Sequence, residues 1–404
     1  MKFIFKALLY RNRNFRLLYL GQFISFVGTM ITGVVLPYQI YHETQSTLMV
    51  GLLGLFQLLP LLVTALLGGV FADRHHRKLL LIVTESLLAL GCLLLAWNAF
   101  LEVPRLWIIF VVATFMSAIN GFHRPALDSM TQQLVAREDF PSVGALASFK
   151  YSFGMIAGPA IGGLIIAHFG VAITFLVDFS TFVSSLILLL MIGQLPKPQG
   201  RRDSSTWVAL KQGFHYAISR QELVGSYLVD FVAMIFGMPT ALFPAIAQAH
   251  GGAQVLGMLY SAPAVGALVV SFWGGWARYI KRYGAAIAVS AATWGVAIIL
   301  FGLVGNLYLA LFFMAVAGAA DAVSGIFRGT LWNETIPNEY RGRLAGIEML
   351  SYLSGPKLGD TEAGLVAALF GVTASVVSGG VLCVLSVFLC SYFLPQFWRY
   401  RSKG

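Results

Sequence analysis

Residues 121–137, GFHRPALDSMTQQLVAR, have a counterpart in residues 325–341, GIFRGTLWNETIPNEYR. Five residues recur at a constant offset of 204 positions: Gly121, Arg124, Leu127, Thr131 and Arg137 correspond to Gly325, Arg328, Leu331, Thr335 and Arg341. Glycines recur at an offset of 206, with Gly51, Gly68 and Gly69 matching Gly257, Gly274 and Gly275, and Gly-Pro pairs begin at Gly158 and Gly355. Repeats in the same order predict two halves of similar structure.

The composition predicts that these halves lie in a membrane. Of the 404 residues, 58% are hydrophobic and only 11% are charged, whereas a soluble domain has about 25% charged residues. A helix needs about 20 apolar residues to cross a bilayer. Twelve such runs are present, near residues 17–41, 48–72, 79–99, 106–126, 143–167, 171–194, 222–246, 255–277, 285–304, 307–329, 343–368 and 372–395.

The predicted fold class is therefore all-α, a polytopic membrane protein of 12 transmembrane helices in two pseudo-symmetric six-helix bundles with a cavity between them. Residues 1–195 form the first bundle, residues 196–221 a cytoplasmic linker and residues 222–404 the second bundle. This composition excludes a soluble enzyme.

The distribution of positive charge predicts the orientation. The chain has 27 Lys and Arg against 17 Asp and Glu, a formal net charge of +10. In a soluble protein this excess would indicate nucleic-acid binding, but here the basic residues cluster at the N-terminus, in alternate loops and in the tail, so no nucleic-acid partner is predicted. Because basic residues flank membrane helices on the cytoplasmic side, we expect both termini in the cytoplasm.

Motifs for other chemistries are missing from the sequence. The three cysteines lie in apolar stretches without a Cys/His cluster, so we predict no metal site and no cofactor. The phosphate-binding pattern GxxxxGK[ST], HExxH and a nucleophile elbow do not occur, which disfavours an ATP-driven pump or an enzyme.

Two motifs make the chain resemble the major facilitator superfamily. The segment GGVFADRHHRK fits the loop motif of that family at Gly69, Asp73, Arg74, Arg77 and Lys78, although His76 replaces its second glycine. The segment GMIAGPAIGG fits its antiporter motif at Gly154, Gly158, Pro159, Gly162 and Gly163. The resemblance implies that the first motif gates the cytoplasmic side and that the second is typical of proton-driven exporters. A membrane anchor and a helix-packing groove, respectively, are the structural alternatives.

Ionisable residues inside apolar spans are costly and are therefore candidates for function. Five lie on spans that should line the cavity, and we take them as proton-coupling candidates: Asp230, Asp321, Glu362, Asp360 and Lys357. Lys357 and Asp360 are three residues apart, so they can pair on one helix face. Structural ion pairing between helices is the alternative for each. Glu85, Asp178 and His123 are expected to have structural roles, and a proton relay is the alternative for His123.

Candidates for substrate binding come from the first span and from the repeated stretch. Gln22, Ser25 and Thr29 share one helix face, next to Phe26, and this face suits an amphipathic ligand; interhelical hydrogen bonding is the alternative. Arg124 and Arg328 occupy equivalent positions, where each can contact an anionic substrate, pair with an acid or extend toward the lipid headgroups.

The resemblance extends over essentially the whole chain, and within the superfamily it is greatest to the branch of bacterial exporters that includes enterobactin exporters and macrolide-efflux proteins. It implies a monomer in the bacterial cytoplasmic membrane that exports a small amphipathic molecule, such as a siderophore or drug, in exchange for protons by alternating access. The predicted partners are this small-molecule substrate, protons and membrane lipids. Metabolite uptake, lysolipid flipping, metal-ion export and a membrane enzyme remain as alternatives.

Overall fold

The fold is helical throughout the residues that the computed structural model describes, which are 8–193, 212, 214–272 and 274–402. These residues contain no β-strand. The α-helices are α1 Arg13–Thr44, α2 Thr47–Arg74, α3 Arg77–Ala99, α4 Leu106–Leu134, α5 Phe140–Leu190, α6 Gln221–Phe236, α7 Phe243–His250, α8 Ala253–Phe272, α9 Tyr283–Leu303, α10 Leu307–Thr335, α11 Asn338–Phe370, α12 Val372–Phe393 and α13 Pro395–Trp398.

Ten helical segments among the described residues are long and apolar enough to span a membrane. The difference from the predicted twelve has two sources. The fifth and sixth predicted spans lie on one continuous element, α5 with the short 3₁₀ helix before it, counted as a single candidate of 54 residues. The eleventh predicted span lies on α11, which carries Lys357, Asp360 and Glu362 and is not among the ten.

Two long elements change direction inside an apolar run. In α5 the bend lies at Gly170, whose φ of 81° is in the left-handed region that glycine adopts without a steric penalty. The seventh predicted span, expected as one helix over 222–246, is instead broken between α6 and α7 at Gly237–Pro239, and a 3₁₀ turn at Thr240–Leu242 restarts it. Proline at position 239 cannot donate the backbone hydrogen bond that a continuous helix needs.

Large apolar side chains cover the outside of the helices. Leu164 is 50% exposed, Phe388 66% and Phe272 82%. Such residues are stable at an exterior surface when the surroundings are hydrocarbon, and helices satisfy their backbone hydrogen bonds internally. The protein is therefore a multi-pass membrane protein.

The described contacts group the chain into two compact units. Unit 1 comprises Met1–Gln45, Phe56–Arg201 and Ala247–Ser261, and unit 2 comprises Ser46–Leu55, Arg202–Ile246 and Ala262–Gly404. In unit 1, α1 packs against α5, and α3 packs against both α4 and α5. Leu17, Leu81, Met130 and Leu189 meet in one buried cluster, which fixes how the helices that carry the polar residues of this unit are rotated.

Candidate functional site

Three charged side chains meet inside unit 2. Arg328 on α10 forms an ion pair with Asp230 on α6, and its Nη2 lies 3.6 Å from Oδ1 of Asp321. Asp321 and Arg328 are seven residues apart on α10, about two helical turns, so they project from the same face. The side chains of Arg328 and Asp230 are only 13% and 15% exposed, whereas that of Asp321 is 40% exposed. With all three ionised, the cluster has a net charge of −1.

The three charged side chains line a small cavity. Its other walls are formed by Ala233, Met234, Ala291, Trp294 and Ser324. The cavity is about large enough for one water molecule. It can therefore admit water or a proton but has no room for an organic substrate in this conformation. Glu348 on α11 also acts electrostatically on Arg328, which adds negative potential to the same region.

Asp360 stabilises the break between α6 and α7. Its Oδ1 accepts a hydrogen bond from the hydroxyl of Thr240, and its carboxylate also accepts from the backbone N–H of Ala241. On the other side of the break, the indole Nε1 of Trp294 donates to the carbonyl of Gly237 at 2.7 Å. Asp360 thus acts as an N-cap supplied by another helix.

The other two candidates on α11 are Lys357 and Glu362. Lys357 interacts electrostatically with Asp360, in keeping with the predicted pairing on one helix face, and Glu362 lies partly buried on the same helix. Their role in proton coupling stays a prediction.

The substrate-binding candidates of unit 1 have mixed surroundings. Gln22 and Ser25 are 6% and 4% exposed, and Gln22 is hydrogen-bonded to α3 and α4 through Glu85 and His123. The hydroxyl of Thr29 donates to the carbonyl of Ser25 at 2.9 Å. These bonds are the interhelical and local alternatives to ligand contact, so a substrate role for this face stays a prediction.

Phe26 and Arg124 are more accessible. Phe26 is half-buried. The centroids of the Phe26 and Tyr151 rings lie 6.0 Å apart, and the ammonium of Lys150 lies 5.5 Å from the centroid of the Phe26 ring. Arg124 is exposed. An aromatic surface next to a cation suits an aromatic or anionic ligand.

Lys150 and Asp128 are ionisable residues that the sequence analysis overlooked. Lys150 on α5 lies close enough to Asp128 and Arg124 on α4 for electrostatic interaction. The signal was present in the sequence, because Lys150 lies inside the fifth predicted span and Asp128 just beyond the fourth. The criterion applied to Asp230 and Asp321 would have selected Lys150 too.

The loop motif is described only in part. The side chains of Gly69, Asp73 and Arg74 lie outside the described residues. Arg77 Nη1 donates to the carbonyl of Ser129 at 3.1 Å, and Lys78 Nζ donates to the carbonyls of Leu190 and Ile192. These two cations therefore bind the ends of α4 and α5, and the gating role of the motif stays a prediction.

The Gly-Pro segment of α5 has two packing faces within unit 1. A Cβ added at Gly154 would lie 2.5 Å from the ring of Phe26, one at Gly158 would lie 2.4 Å from Cβ of Met30, and one at Gly162 would lie 3.3 Å from Cα of Ile31. These three glycines allow α1 to approach closely.

The second face of the same segment contacts α8. A Cβ at Gly163 would lie 2.5 Å from the carbonyl oxygen of Ala253, and one at Gly257 would lie 2.6 Å from the carbonyl oxygen of Pro159. The hydroxyl of Ser261 donates to the carbonyl of Ile156 at 2.8 Å. Because backbone meets backbone here, no side chain can move aside to admit a larger residue.

Sequence relatives are found over nearly the whole chain. A family model described as "Transmembrane secretion effector" matches residues 8–399. The enterobactin exporter of Citrobacter koseri is 29% identical over 398 residues, which are 98% of this chain and 95% of that protein. The enterobactin exporter of Escherichia coli O1:K1 is 30% identical over 404 residues, with the same coverage of 98% and 95%.

Solved transporter structures share the fold. A transporter of the POT family superposes with a TM-score of 0.76 at 12% identity, covering 96% of this chain and 97% of that chain. A bacterial homologue of the human lysosomal transporter Spinster has a TM-score of 0.72 at 14% identity, covering 97% and 98%. At these sequence identities the solved structures support the fold alone, whereas the match to the family model supports membership of the family. The chain therefore belongs to the transmembrane secretion effector family of the major facilitator superfamily, and it is a membrane transporter.

Proposed function

We propose that this transporter exports a small amphipathic molecule, a siderophore or a drug, in exchange for protons. Transport would follow alternating access, in which the substrate site opens to one side of the membrane at a time. The protein would act as a monomer with twelve spans in the bacterial cytoplasmic membrane, with both termini in the cytoplasm. The relatives named enterobactin exporters support the direction and the substrate class.

The observation that carries proton coupling is the charge imbalance at Arg328. One cation faces two carboxylates, and Asp321 is the more distant and the more exposed of the two. A proton on Asp321 would leave the Arg328–Asp230 pair intact and bring these three groups to zero net charge. If two conformations of α6 and α10 bind this proton with different free energies, protonation shifts the equilibrium between them.

Substrate would bind away from this cavity. The cavity beside Asp321 is too small for an organic molecule, whereas Phe26, Tyr151 and Lys150 offer aromatic faces and a cation in unit 1. An amphipathic ligand with aromatic rings and negative charge suits these groups. Proton and substrate would therefore be coupled through conformation rather than by competition for one residue.

The test is accumulation of fluorescent dyes and a catechol-type siderophore in bacterial cells that lack their own exporters. Cells with the wild-type chain should retain less of the compound than cells with an empty vector, and a protonophore should abolish the difference. The Asp321→Asn variant should behave like the empty vector at equal membrane expression. Unchanged accumulation with the wild-type chain would contradict export of such amphipathic molecules and favour uptake, lysolipid flipping or metal-ion export.

A further inference from the structure

A second buried polar cluster lies in unit 1 and is not used by the proposed coupling site. Glu85 on α3 is 0% exposed. Its Oε1 accepts hydrogen bonds from the amide of Gln22 on α1 and from the hydroxyl of Ser185 on α5, the latter at 3.0 Å. The amide oxygen of Gln22 lies 3.2 Å from Nε2 of His123 on α4.

The chain of contacts continues to the helix on which it began. Nδ1 of His123 lies 3.0 Å from the hydroxyl oxygen of Thr84, and that hydroxyl lies 2.9 Å from the carbonyl oxygen of Leu80. Glu85, Gln22, His123 and Thr84 therefore form one hydrogen-bonded network across three helices, which we call the Glu85 network.

Counting hydrogens shows that the Glu85 network has two complete arrangements. The hydroxyl of Thr84 carries one hydrogen, so it can donate either to His123 or to Leu80, but not to both. When it donates to His123, Nε2 of the neutral ring donates to Gln22, and the Gln22 amide donates to an ionised Glu85. Every contact is then satisfied, and the network has a net charge of −1.

In the other arrangement the Thr84 hydroxyl donates to Leu80 and must accept a hydrogen from Nδ1 of His123. Two versions of this arrangement are possible. In the first, Nε2 of His123 also carries a hydrogen, so the ring is an imidazolium and Glu85 is ionised. In the second, Nε2 accepts from a Gln22 amide rotated by half a turn, and Glu85 must be protonated to donate to the amide oxygen that then faces it. Orientation of a Gln amide and of a His ring is decided by such networks. Both versions have zero net charge and contain one proton more than the first arrangement.

The two arrangements differ by one proton and a rotation of the Thr84 hydroxyl. The version with protonated Glu85 also needs a rotation of the Gln22 amide and the other tautomer of His123, and neither version needs movement of the backbone. Leu80 keeps a partner in either case, because its carbonyl lies within a continuous α-helix. Oε2 of Glu85 has no hydrogen-bond partner among the described residues, so only one oxygen of this carboxylate has donors that stabilise its charge. The charged groups nearest to the network come from α5 and α4: Lys150 acts electrostatically on His123 and is itself coupled to Asp128 and Arg124.

The other buried carboxylate of unit 1 provides a contrast. Asp178 is also 0% exposed, and it accepts hydrogen bonds from the hydroxyls of Thr32 and Thr181 and from the thiol of Cys92. Three donors around one carboxylate serve a fixed charge that joins helices. No histidine and no unpartnered oxygen are found at Asp178 in the described part of the chain.

We propose that the Glu85 network is a second proton-binding site, located in unit 1, which takes up and releases one proton during the transport cycle. This inference rests on the proposed function, because it assigns a second group to proton coupling. Glu85 would hold the proton, His123 would exchange it, and Gln22 would transmit the change to α1.

Infrared spectroscopy tests the proposal on the full-length protein in lipid nanodiscs. The spectrum is recorded through a pH titration with unlabelled protein and with protein containing carboxyl-¹³C glutamate, because the label shifts the C=O stretch of a protonated glutamic acid but not that of an aspartic acid. Above about pH 6, where exposed glutamates are ionised, we expect a titrating glutamic-acid band in the wild type, its loss in Glu85→Gln, and its retention in Glu362→Gln and in the matched control Asp178→Asn.

Two results would overturn the proposal: a wild-type spectrum without a label-sensitive band that titrates above about pH 6, or a Glu85→Gln spectrum in which every such band is retained. The labelled wild-type protein gives the first answer even if Glu85→Gln does not fold. A different result would contradict the proposed function: transport that is unchanged by a protonophore would contradict proton coupling, whatever the infrared spectrum shows.

Discussion

Replacing Arg328 by glutamine is expected to destabilise the protein strongly, because the substitution leaves Asp230 and Asp321 facing each other. At 3.6 Å and an effective dielectric constant of about 20, the attraction between Arg328 and Asp321 alone is roughly 4–5 kcal/mol before desolvation is subtracted. Removing one partner of a buried ion pair costs about 3–5 kcal/mol. Since Arg328 and Asp230 retain 13% and 15% exposure, we expect the lower end, about 3 kcal/mol.

A double-mutant cycle separates the ion pair from other effects of the substitution. Asp230→Asn alone should cost about 1 kcal/mol, because Arg328 keeps Asp321 nearby. The variant with both substitutions should cost about 2 kcal/mol less than the sum of the two single changes. The free energies of unfolding are measured by titration of the purified protein with sodium dodecyl sulfate in mixed micelles.

The repeat in the sequence supplies the control for this experiment. Arg124 is the counterpart of Arg328 in the first half, and it is exposed, so Arg124→Gln should change the free energy of unfolding by no more than about 0.5 kcal/mol. Additivity of the Arg328 and Asp230 substitutions within about 0.5 kcal/mol would refute the reasoning, as would equal costs for Arg124→Gln and Arg328→Gln.

Two further substitutions test packing and the helix break. Gly163→Ala would place a Cβ 2.5 Å from a backbone oxygen of α8, so it should cost about 1–3 kcal/mol of unfolding free energy and reduce export. Gly144→Ala is the control on the same helix, because Gly144 has open space around it, and it should change neither quantity. Equal effects of the two substitutions would contradict the packing argument. Trp294→Phe removes the donor to the Gly237 carbonyl and should lower the free energy of unfolding by about 1–3 kcal/mol in the same micelle titration. Trp107→Phe, at a residue that is 61% exposed, should leave it unchanged. An unchanged free energy of unfolding in Trp294→Phe would show that the break does not depend on this hydrogen bond.

The sequence was sufficient to predict the helical membrane fold, because that fold depends on the length and composition of apolar runs. The repeat at residues 121–137 and 325–341 belongs to the same kind of information, since it compares positions along one chain. The break between α6 and α7 was hidden because residues 222–246 form one largely apolar run of the length expected for a single span. Gly237 and Pro239 mark the break, but a proline is also tolerated inside continuous membrane helices, as Pro37 is in α1.

The candidate site could be predicted residue by residue but not as an arrangement. Asp230 and Asp321 were selected as ionisable residues in apolar spans, and Arg328 was selected from the repeat. The pairing of Asp230 with Arg328 across 98 positions, however, depends on how α6 and α10 are rotated. The same holds for Glu85, whose surroundings come from α1, α4 and α5. Helix rotation is decided by the packing of many small contacts, and hydropathy along the chain does not report it.

The most direct test of proton coupling uses purified protein in liposomes with an imposed pH gradient. For the wild type, we expect a fluorescent substrate to accumulate against its own concentration gradient on the side from which protons leave. We expect Asp321→Asn to bind the substrate but to show no pH-driven accumulation, because the cluster at Arg328 can no longer exchange its proton. Accumulation by the wild type that does not depend on the pH gradient, or pH-driven accumulation that survives in Asp321→Asn, would contradict the account.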